Sequence, residues 1–195
     1  MITQAKIKNV MVDFSGISAA YHGYQDCYRA IPGDDPNAAA RWGGPAVSGD
    51  GNGVVAGLYS AACPDPLGAL GADEQCKFWD HLRRAGFVAG TGGNQPFNAL
   101  TGMIGVQTGN GAGGPALTDP GPPAAGPGFV GLIMCSANLP DKIAIAVDTQ
   151  MDDGLAGKGT VRGQLQAGPN PPIAGAAVAT YGETGANIYT ICRAL

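Results

Sequence analysis

Charge is scarce in this chain of 195 residues: 11 Lys and Arg stand against 15 Asp and Glu, for a net charge of −4. A mildly acidic chain with scattered basic residues is a poor electrostatic match for nucleic acid, so no nucleic-acid partner is expected. Lys6 and Lys8 come nearest to a basic cluster and read as a solvated helix face. Histidine is scarcer still, with His22 and His81 alone, and none of the five cysteines belongs to a C-x-x-C pair. Together these absences argue against a zinc site. No stretch approaches the ~20 apolar residues of a membrane span, and the chain begins inside a helical pattern without a signal-peptide layout. A G-x-S-x-G elbow, a phosphate-cradling loop and a histidine beside a matching nucleophile are all missing, so no enzyme is expected. "GTGG" at 90 to 93 reads as a turn, and both histidines are expected at the surface.

What is abundant is glycine and proline, 33 and 15 residues, together with 45 % hydrophobic residues. That mixture describes one folded domain over 1–195 with unusually long loops. Ile7, Val10, Phe14, Ile17, Tyr21, Tyr24 and Tyr28 alternate steps of three and four, which predicts a single apolar stripe on a helix over 2–28. At 1.5 Å per residue this rod is roughly 40 Å long and needs a broad partner surface. Pro32 ends it, because the residue before a proline is pushed out of the helical region. Residues 29–97 then hold mostly turn chemistry and one helix from Asp73 to Ala85. Asp73 is expected to cap that helix, and Gly86 to stop it.

Strand-like pieces follow at 98–108, 128–138, 159–167 and 186–195. A Gly/Pro-rich surface loop is expected over 109–127, and another short helix over 140–152 with Pro140 in its first turn. The predicted fold is α+β: a long amphipathic helix laid across an antiparallel sheet of about four strands, with two short helices.

"YQDCYRAIPGDDPNAAARWGG" (24–44), "GDGNGVVAG" (49–57), "CKFWDHLRRAGFVAG" (76–90), "NLPDKIAIAVDTQMDDG" (138–154) and "YTICRAL" (189–195) occur in that order. With the layout above, they resemble the type IV pilin and pseudopilin superfamily of Gram-negative bacteria. The resemblance implies a structural subunit of a pilus or secretion pseudopilus. Its partners would be copies of itself, other pilins and an inner-membrane assembly machinery powered by a cytoplasmic ATPase. It also implies that 2–28 is the soluble half of a longer helix whose apolar half anchors the precursor in the inner membrane. The mature subunit would lie in the periplasm or in a surface filament. An adhesin or other secreted recognition module is the alternative, and a surface enzyme a weaker third.

Spread cysteines in a loop-rich domain suit an exported, disulfide-stapled protein. Pilins commonly carry one C-terminal bridge, which implies Cys135 with Cys192, both in predicted strands. Cys63 and Cys76 flank a Pro/Gly loop and form the second expected pair. Cys27 is left over, either as a buried thiol or as an alternative partner for Cys63 or Cys76; four unbridged thiols are the other reading. "SGDGNGVV" (48–55) resembles the first half of a calcium loop, with oxygens at Ser48, Asp50 and Asn52. Tyr59 stands where such a loop has its glutamate, so Glu74, or Asp34 and Asp35, would complete the sphere around Ca²⁺. The competing reading is a glycine-rich turn whose Asp and Asn serve their own backbone. Asp34 and Asp35 themselves suggest a helix-exit turn paired with Arg29 or Arg41, since consecutive side chains rarely point the same way.

Overall fold

The computed structural model describes residues 2–63, 73–121, 126–173 and 175–195. The turns expected over 64–72 and the middle of the 109–127 loop lie outside the described residues.

Helix α1 runs over Ile2–Tyr28. Six of its seven stripe residues, from Ile7 to Tyr24, are buried, and Tyr28 is half-buried. Past Tyr28 the chain leaves the helix through Arg29 in the left-handed region, at φ 55°. A one-turn helix, α2, follows at Ala38–Trp42, where only turns were expected. Helix α3 spans Glu74–Arg84, and every residue from Glu74 to Leu82 is buried. Asp73 occupies its N-cap position but makes no side-chain capping bond. The helix is held instead by its surroundings, wedged between α1 and the loops.

The sheet consists of β1 (Ile104–Thr108), β2 (Leu132–Pro140), β3 (Val161–Leu165) and β4 (Ile188–Ala194), in the order β1-β2-β4-β3. All three pairings are antiparallel. Between β2 and β3 lies α4 (Asp141–Met151). Pro140 closes β2 and sits at the N-cap of α4, one residue before the first turn where it was expected.

Alternation along the strands divides the interior in two. Ile104, Val106, Leu132, Met134, Val161, Tyr189 and Ile191 share one core with the α1 stripe, with Phe78, Trp79 and Leu82 of α3 and with Ile143, Ala144 and Val147 of α4. The opposite face, Ile133, Cys135, Ala137 and Cys192, is covered by Tyr59, Ala116, Leu117, Ile173 and Ala177. The 109–127 stretch is therefore more than a surface loop, because Ala116 and Leu117 are fully buried. The reason is that the second sheet face is also apolar and, among the described residues, has no helix to cover it.

Both sheet edges are closed by loops, which removes the hazard of open strand edges. Thr108 N–H donates to Val55 and Ile104 N–H to Pro96 on the β1 side. Ala156 and Val178 pair with Gly163 on the β3 side.

Candidate functional site

The residues singled out by sequence converge at the exit of α1, where the chain passes through 29–37, α2 and the 43–57 loop before α3. Close backbone approach sets the geometry. Gly33 sits at φ 92°, and a Cβ there would come within 2.6 Å of the Glu74 carbonyl oxygen. A Cβ on Gly49 would overlap the Asp34 backbone and the Gly33 carbonyl. Only glycine lets these segments stack against α3.

Asp34 and Asp35 point in opposite directions. Asp35 is buried; its Oδ2 accepts from the Tyr24 hydroxyl at 2.6 Å and from Arg41 Nη1 at 2.6 Å, and its Oδ1 accepts from Asn37 N–H. Burial alone would raise the Asp35 pKa, but these bonds and the Arg41 charge outweigh it and hold the carboxyl below its ordinary value. Arg41 also stacks over Tyr28 and Trp42, 4.2 and 5.0 Å from the ring centroids.

Asp34, 4 % exposed, turns towards the 48–55 loop. Its Oδ1 accepts from Gly51 and Asn52 N–H at 2.7 and 3.0 Å, and its Oδ2 from Gly53 N–H at 2.8 Å. Glu74, also buried, accepts Asp50 N–H on Oε1 and Ala56 N–H on Oε2. The carboxylates of Asp34, Asp50 and Glu74 all lie within 4.8 Å of one another. Burial pushes the Asp34 and Glu74 pKa values up, and for Glu74 the neighbouring charges of Asp34 and Asp50 add to it. Three carboxyls this close are eased by a shared proton or by a cation, and their oxygens suit Ca²⁺.

Of the expected ligands, Asp50 and Glu74 come together with Asp34, and the Asn52 side-chain amide donates to Asp50 Oδ2 at 2.9 Å. Ser48 Oγ accepts Ala39 N–H, and Asn52 Oδ1 accepts Val54 N–H. A second acidic group, Asp148, Asp152 and Asp153, escaped the sequence reading. Its signal was the Asp-Asp-Gly at 152–154 that follows α4.

Cys63 is bonded to Cys76 and Cys135 to Cys192. Cys135 and Cys192 face each other across β2 and β4, with Cα atoms 4.0 Å apart, on the loop-covered face of the sheet. Cys27 is free and exposed, not buried and not paired within the domain.

His81 overturns the expectation of a surface residue: it is fully buried in the last turn of α3. Its ring stacks 6.2 Å from Tyr24, and its two nitrogens contact Gly33 N–H and the Val47 carbonyl. At the far end of the sheet, an open groove of about 510 Å³ is lined only by uncharged residues, among them Leu100, Thr101, Asn138, Gln166 and Ile188. Thr101 and Asn138 hold φ of 60° and 57° there.

No protein-family model matches this chain, and no curated protein and no solved structure is similar to it. Fold and site define an α+β domain with two disulfides, whose described helices include none long and apolar enough to cross a membrane. The disulfides suit an oxidising compartment.

Proposed function

We propose that this chain is the headgroup of a filament subunit of the type IV pilin and pseudopilin kind, working in the periplasm or at the cell surface. The observation that carries the reading is the disposition of α1. One stripe of the rod is sunk into the core it shares with the sheet, while the opposite face is open, with Val12 65 % exposed. A rod half-embedded in its own domain leaves a second face for neighbours in an assembly. The cross-strand bridge at the C-terminal strand and the tightly bonded helix exit support the same reading, since both stiffen the domain.

The role proposed is packing, not catalysis. Its partners are copies of the same chain and other subunits, delivered by an inner-membrane assembly machinery. In this reading the Asp34, Asp50 and Glu74 group takes Ca²⁺ and locks the loop beside the helix exit.

The test is to express the gene with its natural upstream sequence in its own host and to shear and sediment surface material. The subunit is expected in the sedimented filaments, and the frame upstream is expected to encode a short basic leader and an apolar stretch of about twenty residues. Recovery only as a monomer, behind an ordinary cleaved signal, overturns the reading. That outcome favours a secreted recognition module, for which the uncharged groove beside Asn138 is the natural binding surface.

A further inference from the structure

We propose that His81 is an acid-operated latch: neutral, it ties α3 to both segments that leave the helix exit, and protonated, it lets them go. The bonding pattern leaves the ring one choice. Nδ1 receives the Gly33 N–H at 2.9 Å and must be bare. Nε2 lies 2.8 Å from the Val47 carbonyl oxygen and must carry the hydrogen. Only one neutral tautomer satisfies both contacts. A proton added to Nδ1 would confront the Gly33 N–H, donor against donor, at a position no water reaches. Gly33 has little room to adjust, because it is already pressed against the Glu74 backbone.

The surroundings offer the imidazolium little compensation. From α1 comes the Tyr24 ring, and from α2 the Trp42 ring at 5.9 Å. From the exit loop comes Asp35, already paired with Arg41. On α3 itself Asp80 is paired with Arg84, and Lys77 is a like charge. Burial pushes the His81 pKa down and Lys77 adds to this, while the Val47 carbonyl and the charges of Asp35 and Asp80 resist without reversing it.

The closed latch binds fewer protons than the open one, where the ring titrates near its ordinary value of about 6.5. Closure is therefore complete above about pH 6.5 and weakens below it, by up to about tenfold per pH unit, until the closed form itself protonates. What opens is the 29–37 exit segment and the 43–57 loop; the sheet, joined by its own ladders and bridge, stays shut.

Amide hydrogen exchange, corrected for intrinsic rates, tests this between pH 7.5 and 5.5, alongside NMR of the His81 ring. Peptides within 33–57 are expected to lose about fivefold in protection between pH 6.5 and 5.5, and about tenfold over the whole range, relative to peptides of β2 and β4, while the ring of the closed form stays neutral. In a His81→Gln variant that pH dependence is expected to vanish. Unchanged protection of 33–57 down to pH 5.5, a ring that titrates while the segment stays closed, or the same opening in His81→Gln each overturns the proposal. If the variant does not fold, the two wild-type measurements decide alone.

Discussion

Truncating Phe14 tests whether α1 is sunk into the core as described. Phe14 is 1 % exposed and lies among residues of the sheet, α3 and α4, whereas Val12, two positions earlier, is 65 % exposed. Deleting a buried phenyl ring costs about 3–5 kcal/mol, from lost transfer energy plus the cavity left behind. The upper part of that range applies here, because helices and sheet surround the site and leave little to collapse inward. Val12→Ala removes atoms already in water and should change stability by no more than about 0.5 kcal/mol. Against a domain stability of about 5–15 kcal/mol, Phe14→Ala consumes about a quarter or more. With a urea slope of about 2 kcal/mol/M, its midpoint falls by roughly 2 M, and that of Val12→Ala by about 0.2 M at most. Far-UV circular dichroism with the disulfides intact reads both. Equal midpoints, or a Phe14→Ala loss below about 1 kcal/mol, would refute the placement of the helix.

Serine at Cys135 and Cys192 opens a 57-residue separation and should cost about 4 kcal/mol by chain entropy, against about 3 for the 13-residue separation of Cys63 and Cys76; calorimetry of the two double variants orders them. Asp35, with its depressed pKa, contributes stability that is whole above its unfolded value of about 3.9 and is lost as pH falls through the folded value. Asp35→Asn should therefore be less stable at pH 7 and show a flatter acid limb below pH 4 in urea titrations. Excess Ca²⁺ should raise the melting midpoint, by the equivalent of about 2.7 kcal/mol at a hundredfold excess over Kd, and Asp34→Asn should abolish the rise; a midpoint indifferent to chelator and to Ca²⁺ removes the ion. Gly49→Ala should destabilise by at least about 1 kcal/mol, because its Cβ meets the Asp34 backbone, whereas Gly16→Ala on α1 meets nothing and should gain about 0.5–1 kcal/mol.

Much of the fold was legible because it is written in local periods. The three-and-four spacing from Ile7 to Tyr28 marks α1 and its buried side, and Phe78, Trp79 and Leu82 mark α3. Three strands fall inside the predicted segments, and β2 starts four residues later and ends two residues later than its expected 128–138; each strand is shorter than its apolar pattern. Over 98–103, for example, Asn98 bonds back to Leu100 and Gly102 and makes a turn. The oxygen-rich 48–55 loop advertised its chemistry too, and Asp50 and Glu74 do meet. Asp34 as the hub of that loop was visible only as one option among several, because its three amide partners lie 17 to 19 residues away.

The sequence alone determined which stretches are rods and strands, and which side of each is greasy, since those properties depend on neighbours a few residues apart. The tertiary structure alone decided the strand order and the covering of the second sheet face by Ala116, Leu117 and Ile173. It also sealed His81 between Gly33 and Val47. Those outcomes turn on contacts between residues 24 to 131 positions apart, from Thr108 beside Leu132 to Tyr59 with Thr190. No local period encodes such contacts; they form only when burying two apolar sheet faces draws distant loops together.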